Sequence, residues 1–354
     1  MATPWRGVVT EYREHMPFAP DVTAVTLGEG GTPLIRSGWL SDLVKGDVYV
    51  KVEGQNPTGS FKDRGMTAAI TGAVAEGAKA VVCASTGNTS ASMTAYAAHA
   101  GLTPIVLVPH GRISAGKMAQ AVMHGADIIG VKGNFDDCLD LSRGLAKNYP
   151  VALVNSVNPH RIEGQKTASF EIVDVLGKAP DIHVLPVGNA GNITAYWKGF
   201  VEYADAGIAA SRPRMWGFQA EGAAPIVRGH IVPEPETVAT AIRIGNPASW
   251  TLAENARDES GGLIDMVADE QILAAQRDLG ANEGVFVEPG SATGVAGLLA
   301  KARAGEVEPG LTITVTVTGH GLKDIDTPLS HLGGLTELVV DNDIDAAADA
   351  AGLR

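Results

Sequence analysis

Cysteine is scarce here: Cys83 and Cys138 are the only two in 354 residues. Two thiols without metal-ligand spacing exclude a disulfide framework and a zinc module. Each sits in an apolar segment, as a buried, inert thiol does. Aromatic residues make up only 5% of the chain, and 27 Lys and Arg are outweighed by 40 Asp and Glu, for a net charge of −13. A chain without clustered cations lacks the electrostatic footprint of a nucleic-acid binder. An anionic small molecule remains open if a few cations gather in one pocket. No apolar run approaches the roughly 20 residues of a membrane span. The opening MATPWRGVVTEYREHMPF has no signal-peptide core, so the expectation is a cytoplasmic protein. What abounds is glycine, with 43 residues against a usual share of about 7%. That composition serves tight turns and backbone-lined sites. The length predicts about two domains.

The dominant pattern is alternation. Strand candidates are VYVKVE (48–53), AVVCAS (80–85), TPIVLVP (103–109), DIIGVK (127–132), VALVNS (151–156), HVLPV (183–187), MWGFQA (215–220), GLIDMVA (262–268), VFVEP (285–289) and TITVTVT (312–318). Helix candidates fill the gaps at 62–76, 88–100, 114–124, 136–147, 161–176, 192–206, 270–280 and 291–304. Apolar strands alternating with helices predict an α/β fold of open, mostly parallel sheets flanked by helices. Such sheets bind ligands beyond the carboxyl ends of their strands. No Pro/Ser linker divides the chain, so two domains would be interleaved by chain crossings. The stretch 221–261 reads as irregular connection and short helices near a site, or as a long surface excursion, and the acidic tail VVDNDIDAAADAAGLR as a closing helix.

Chemistry is sought after those strands. NPTGSFKDRG (56–65) puts Lys62, behind Phe61, in the first turn of a helix. A cation is unfavourable there because that end of a helix carries partial positive charge, which favours a neutral, nucleophilic amine. A lone lysine so placed also reads as a solvated partner of Asp63. CASTGNTSAS (83–92) gathers Ser85, Thr86, Asn88, Thr89 and Ser90 at a helix start, a setting for a carboxylate or for ordinary capping. In LPVGNAGNITAYWKG, the small residues Gly188, Asn189, Ala190, Gly191 and Asn192 lead into a helix and can turn backbone N–H groups toward a phosphate. The segment matches neither the nucleoside-triphosphate P-loop nor G-x-G-x-x-G. TITVTVTGHGLKD ends a strand at Thr318, which reads either as a neutral hydroxyl presented to the cleft or as a strand-end residue satisfying backbone, and His320 after it reads as structural. Lys117 after one strand, and Asn155, Ser156 and Arg161 after another, place donors and cations on a common edge. Singly they are surface groups; together they form a pocket for a second anion.

With LGEGGTPL (27–34), NPTGSFKDRG, CASTGNTS and GNAGN in this order, the sequence resembles the threonine synthase family. These are pyridoxal-phosphate enzymes of the tryptophan-synthase-β (fold type II) superfamily. The resemblance runs to TGHGLKD (318–324), and the stretch IDTPLSHLGG after it departs from the family. It implies two interleaved domains with the active site in the cleft between them. Residues 1–55 with 157–354 would form the large, cofactor-phosphate-binding domain, and 56–156 the small one. It implies Lys62 as the Schiff-base lysine, with Phe61 beside the cofactor. Asn88 would meet the cofactor's ring hydroxyl, 188–192 its phosphate, and Thr318 its ring nitrogen. Ser85, Thr86 and Thr89 would lie at the substrate carboxylate, and Lys117, Asn155, Ser156 and Arg161 at the substrate phosphate. The implied reaction turns O-phospho-L-homoserine and water into L-threonine and phosphate in a cytoplasmic homodimer, with no metal. The rivals are a serine/threonine dehydratase or another β-eliminating relative, and a non-catalytic α/β small-molecule-binding protein. Dehydratases typically carry a glycine run at the phosphate loop and a Ser at the ring nitrogen, where this chain has GNAGN and Thr318.

Overall fold

The β-branched runs bounded by Gly and Pro fold as strands of two sheets. They are β1 (Leu34–Arg36), β2 (Asp47–Val52), β3 (Ala80–Ala84), β4 (Thr103–Pro109), β5 (Asp127–Val131), β6 (Val151–Leu153), β7 (Ile182–Pro186), β8 (Arg214–Ala220), β9 (Leu263–Val267) and β10 (Thr312–Val317). The computed structural model describes residues 4–111, 115–334 and 337–354, with the side chains of 115–117 excepted. One sheet has six strands in the order β1-β2-β10-β7-β8-β9, and the other four in the order β5-β4-β3-β6. All pairings are parallel except β1 with β2. The central strands β3, β7 and β10 are buried along their whole length, as parallel strands covered by helices on both faces must be.

Register brings the strand ends into line. Val317 of β10 pairs with Val52 of β2, so the segments that follow, Thr318–Lys323 and Glu53–Phe61, leave the sheet side by side. Backbone hydrogen bonds sew them together: Phe61 N–H donates to Thr318 O at 2.9 Å, and His320 N–H to Gly59 O at 2.9 Å. In the smaller sheet, Ala84 pairs with Leu107 and Val82 with Leu153. The loops after β3 and β6 therefore emerge together.

Three points in the reading of the sequence need correction. VFVEP forms no strand; Val287 makes one isolated bridge to His320, and Pro289 opens the helix Pro289–Arg303. The single helix expected over 161–176 is two, Pro159–Gln165 and Thr167–Leu176. The short edge strand β1 and the helix Gly38–Val44 had no periodic signal strong enough to mark them. Within 221–261 the short helices are Pro225–Arg228 and Trp250–Glu259, in line with the reading of that stretch. The tail does form its helix, Ile344–Ala350, on the surface.

Candidate active site

Lys62 opens the helix Lys62–Ala75, and Arg161 lies in the helix Pro159–Gln165. The two helices touch backbone to backbone. A Cβ on Gly164 would stand 1.9 Å from Arg64 O, and one on Gly65 would stand 2.9 Å from Arg161 O. Only glycine permits that approach, and it holds Lys62 and Arg161 as neighbours. Burial first, and the Arg161 guanidinium second, push the Lys62 ammonium down from 10.5 to about 7, with Glu288 opposing. Lys62 Nζ stands 4.2 Å from the centre of the Phe61 ring. Asp63 is no partner of Lys62: its carboxylate accepts from Thr58 N (2.7 Å), Thr58 Oγ1 (2.6 Å) and Ser92 Oγ (2.5 Å). Burial outweighs those bonds and raises Asp63 to about 6.

Arg161 is 2% exposed, yet its Nη1 makes only a 3.4 Å contact with Val154 O and its Nε has no partner. Burial pushes it down to about 10. A buried guanidinium left this poorly satisfied is costly and offers a planar fork to an incoming anion. Beside it, Asn155 clamps the Ala84 backbone with both ends of its amide, at 3.1 Å each. Ser156 Oγ accepts from Asn189 Nδ2. The helix carrying Lys117 runs Ala115–Met123, but that side chain lies outside the described residues. Cys83, buried near Arg161, is pushed up to about 12, and Cys138 is buried too. Both thiols are inert, as expected.

After β7 the chain forms a cradle. Ala190 takes the left-handed conformation at φ 66° and is followed by the helix Gly191–Asp205. A Cβ on Gly188 would come within 2.9 Å of Ile242 Cα, so only glycine fits. Among the described residues no partner meets the backbone N–H groups of 188–192. Asn189 Oδ1 accepts from Ala248 N at 2.6 Å, and Asn192 Nδ2 donates to Pro186 O at 2.8 Å, which fix the loop. A row of free N–H groups at a helix start, with a non-glycine residue strained to shape it, is an anion nest.

The pyridoxal-phosphate dependent enzyme family matches residues 25–319. The chain belongs to this family. It is 60% identical over 339 residues to a threonine synthase of Mycobacterium tuberculosis, covering 96% of this chain and 94% of the relative. To a threonine synthase of Halalkalibacterium halodurans it is 54% identical, covering 98% and 97%. Among solved structures, a processed threonine deaminase isoform 2 from Solanum lycopersicum superposes with a TM-score of 0.73 at 19% identity, covering 99% of this chain and 90% of that one. That likeness speaks for the fold.

The donor set fits the family's cofactor. A lysine amine neutral near pH 7 and a nest of free N–H groups are what an aldehyde and a phosphate monoester require. Thr318 is buried at the end of β10, its Oγ1 2.9 Å from Ser291 Oγ, which also accepts from Gly319 N at 2.7 Å. Asn88 begins the helix Asn88–Ala100 and donates through Nδ2 to Glu288 Oε1 at 2.9 Å. Ser85, Thr86 and Thr89 are half-buried in the same loop, where Ser85 Oγ accepts from Gly87 N at 3.2 Å. Sequence reasoning missed Glu288 and Ser291. Burial raises Glu288 to about 7, and its carboxyl fills the space a side chain at position 319 would need. The signal available was the acidic residue of VFVEP, just before the proline that opens a helix.

Proposed function

We propose that this chain converts O-phospho-L-homoserine and water to L-threonine and phosphate, as a pyridoxal-phosphate carbon–oxygen lyase. The observation that carries the reading is Arg161, a buried cation with no ion partner beside a lysine of depressed basicity. An enzyme of this build acting on an unphosphorylated amino acid has no use for a second cationic pocket. O-phospho-L-homoserine, the substrate that the family resemblance implies, requires one.

In this reading Lys62 holds the cofactor, Phe61 lies against it, Asn88 meets its ring hydroxyl, and residues 188–192 hold its phosphate. Thr318 offers its ring nitrogen a neutral hydroxyl, steadied by Ser291. When bound, pyridoxal phosphate supplies an electron sink conjugated to the substrate's Cα. Lys62 Nζ, free as an amine near pH 7, takes the Cα proton and later returns one. Ser85, Thr86 and Thr89 orient the substrate carboxylate through hydroxyl and backbone donors. Arg161, Lys117, Ser156 and Asn155 gather round the substrate phosphate. Arg161 counters the charge that grows on that group as the Cγ–O bond breaks. The net change leaves a hydroxyl from water on Cβ. We take 56–156 as the small domain and 1–55 with 157–354 as the large one, in a cytoplasmic homodimer. These last points rest on the family resemblance. The test is stoichiometry: one phosphate released per threonine formed supports the reading. Ammonia and a 2-oxo acid from threonine, without phosphate release, would replace it with a dehydratase.

A further inference from the structure

The cleft holds one more cation that this account leaves unused. Lys323 ends the short turn Gly321–Lys323 that follows β10. Its stem crosses the loop leading to Lys62, with Cδ and Cε 3.7 Å from where a Cβ of Gly59 would lie. Its ammonium donates to Gln120 Oε1, and Gln120 Nε2 donates to Thr58 O at 3.3 Å. No carboxylate lies within ion-pair distance of it among the described residues. The carboxyls that act on it through space, Glu288 and Asp63, are bonded elsewhere, to Asn88 and to Thr58 and Ser92. Gln120 stands on the helix Ala115–Met123, one turn beyond position 117 and on the same face. The bond therefore spans the cleft, from the end of a six-stranded-sheet strand to a helix of the four-stranded sheet.

We propose that Lys323 is a further substrate-phosphate residue, resting on Gln120 in the open cleft and exchanging that neutral amide for the substrate's phosphate when it binds. The inference rests on the phosphate pocket proposed above. A lysine suits the task because a compact charge on a flexible stem can leave one partner for another. The exchange is favourable because a bond from an ammonium to a phosphate dianion is stronger than one to an amide. It also concentrates positive charge where a chain of net charge −13 would otherwise repel an anionic substrate.

The test uses the holoenzyme with inorganic phosphate as competitive inhibitor of O-phospho-L-homoserine. Lys323→Met should raise both the inhibition constant for phosphate and the KM about tenfold. Lys323→Arg should restore most of that loss. Gln120→Leu, which removes the resting partner and keeps the charge, should leave phosphate inhibition as strong or make it stronger. If Lys323 is only a strut between the sheets, Lys323→Met and Gln120→Leu behave alike and phosphate inhibition does not move; that result overturns the proposal. Arg161→Ala runs in parallel. If it weakens phosphate inhibition while Lys323→Met does not, the pocket stands and the role of Lys323 falls. If neither variant weakens it, the pocket itself is misplaced and the proposal falls with it. Should Lys323→Met fail to fold, Lys323→Gln is read by the same criteria.

Discussion

Lys62 and Arg64 occupy one helical turn and meet opposite fates. Arg64 points into the molecule and is wholly matched. Its Nε donates to Glu53 at 2.7 Å, its Nη1 to Glu171 at 2.5 Å, and its Nη2 to both carboxylates at 2.8 and 2.7 Å. Lys51 completes the group with a 2.6 Å bond to Glu171. Around these four, Thr32 Oγ1 donates to Glu53 and Gly31 N to Glu171, so the GEGGT stretch is pinned by the same charges. The cluster draws on β2, the Lys62–Ala75 helix and the Thr167–Leu176 helix, two cations against two anions. Lys62, Arg161 and Lys323 are cations in the cleft with no such partner. A matched buried charge fixes the architecture; an unmatched one awaits a ligand.

That contrast can be broken from either side. Lys62→Ala should cost the largest factor, about 10³-fold or more in turnover, with thermal unfolding little changed because no structural partner is lost. Arg64→Met should do the reverse. It leaves two buried carboxylates, Glu53 and Glu171, against the single cation Lys51, a loss of about 3–5 kcal/mol read from denaturant unfolding. Activity per folded molecule should fall far less than in Lys62→Ala. Arg161→Ala should lower kcat/KM for O-phospho-L-homoserine about 10²-fold without reducing stability, since no anion is orphaned. A large stability loss there would place Arg161 with Arg64 rather than with Lys62.

The smallest effect is in pH. Burial lowers Lys62 to about 7, so the free amine dominates above that value. Cofactor uptake by stripped protein should climb about tenfold per unit up to pH ~7 and then level off. For stability, the unfolded lysine binds a proton that the folded one does not between about 7 and 10.5, so its contribution rises with pH across that window. Glu288 acts in the other direction. Raised to about 7 from 4.5, it keeps its proton in the folded state across that interval, and its contribution falls as pH rises. Glu171, held down to about 2, stabilises fully above 4.5 and loses that contribution as acid approaches 2. Titrating unfolding of Lys62→Met and Glu171→Gln against the parent separates the two windows.

Much of this was legible in the sequence because it is local. β-branched runs such as AVVCA and TITVTV, closed by Ser, Gly or Asn, declare buried parallel strands within a few residues. Lys62 shows itself by standing at the wrong end of a helix for its charge. The rest depends on contacts far apart in sequence. Glu288 reaches Asn88 across 200 positions, and its segment reads as a strand because VFV is β-branched and aromatic. It has a single bridge partner and a proline at its end, so no ladder forms. The break between 165 and 167 follows from Gly164 packing on the Arg64 backbone and from Thr167 Oγ1 donating to Gly164 O at 2.7 Å. Neither contact has a sequence signature. Asn155 reads in the sequence as a donor alone; that its amide also clamps the Ala84 backbone is visible only in the three-dimensional fold.

The central claim is that an unmatched lysine, not a matched one, carries the chemistry. It is tested most directly by reducing the holoenzyme with borohydride and mapping the cofactor adduct by peptide mass. The account predicts one modified site, Lys62, with Lys51 and Lys166, both held in ion pairs, unmodified. An adduct on any other lysine, with Lys62 left free, would contradict it.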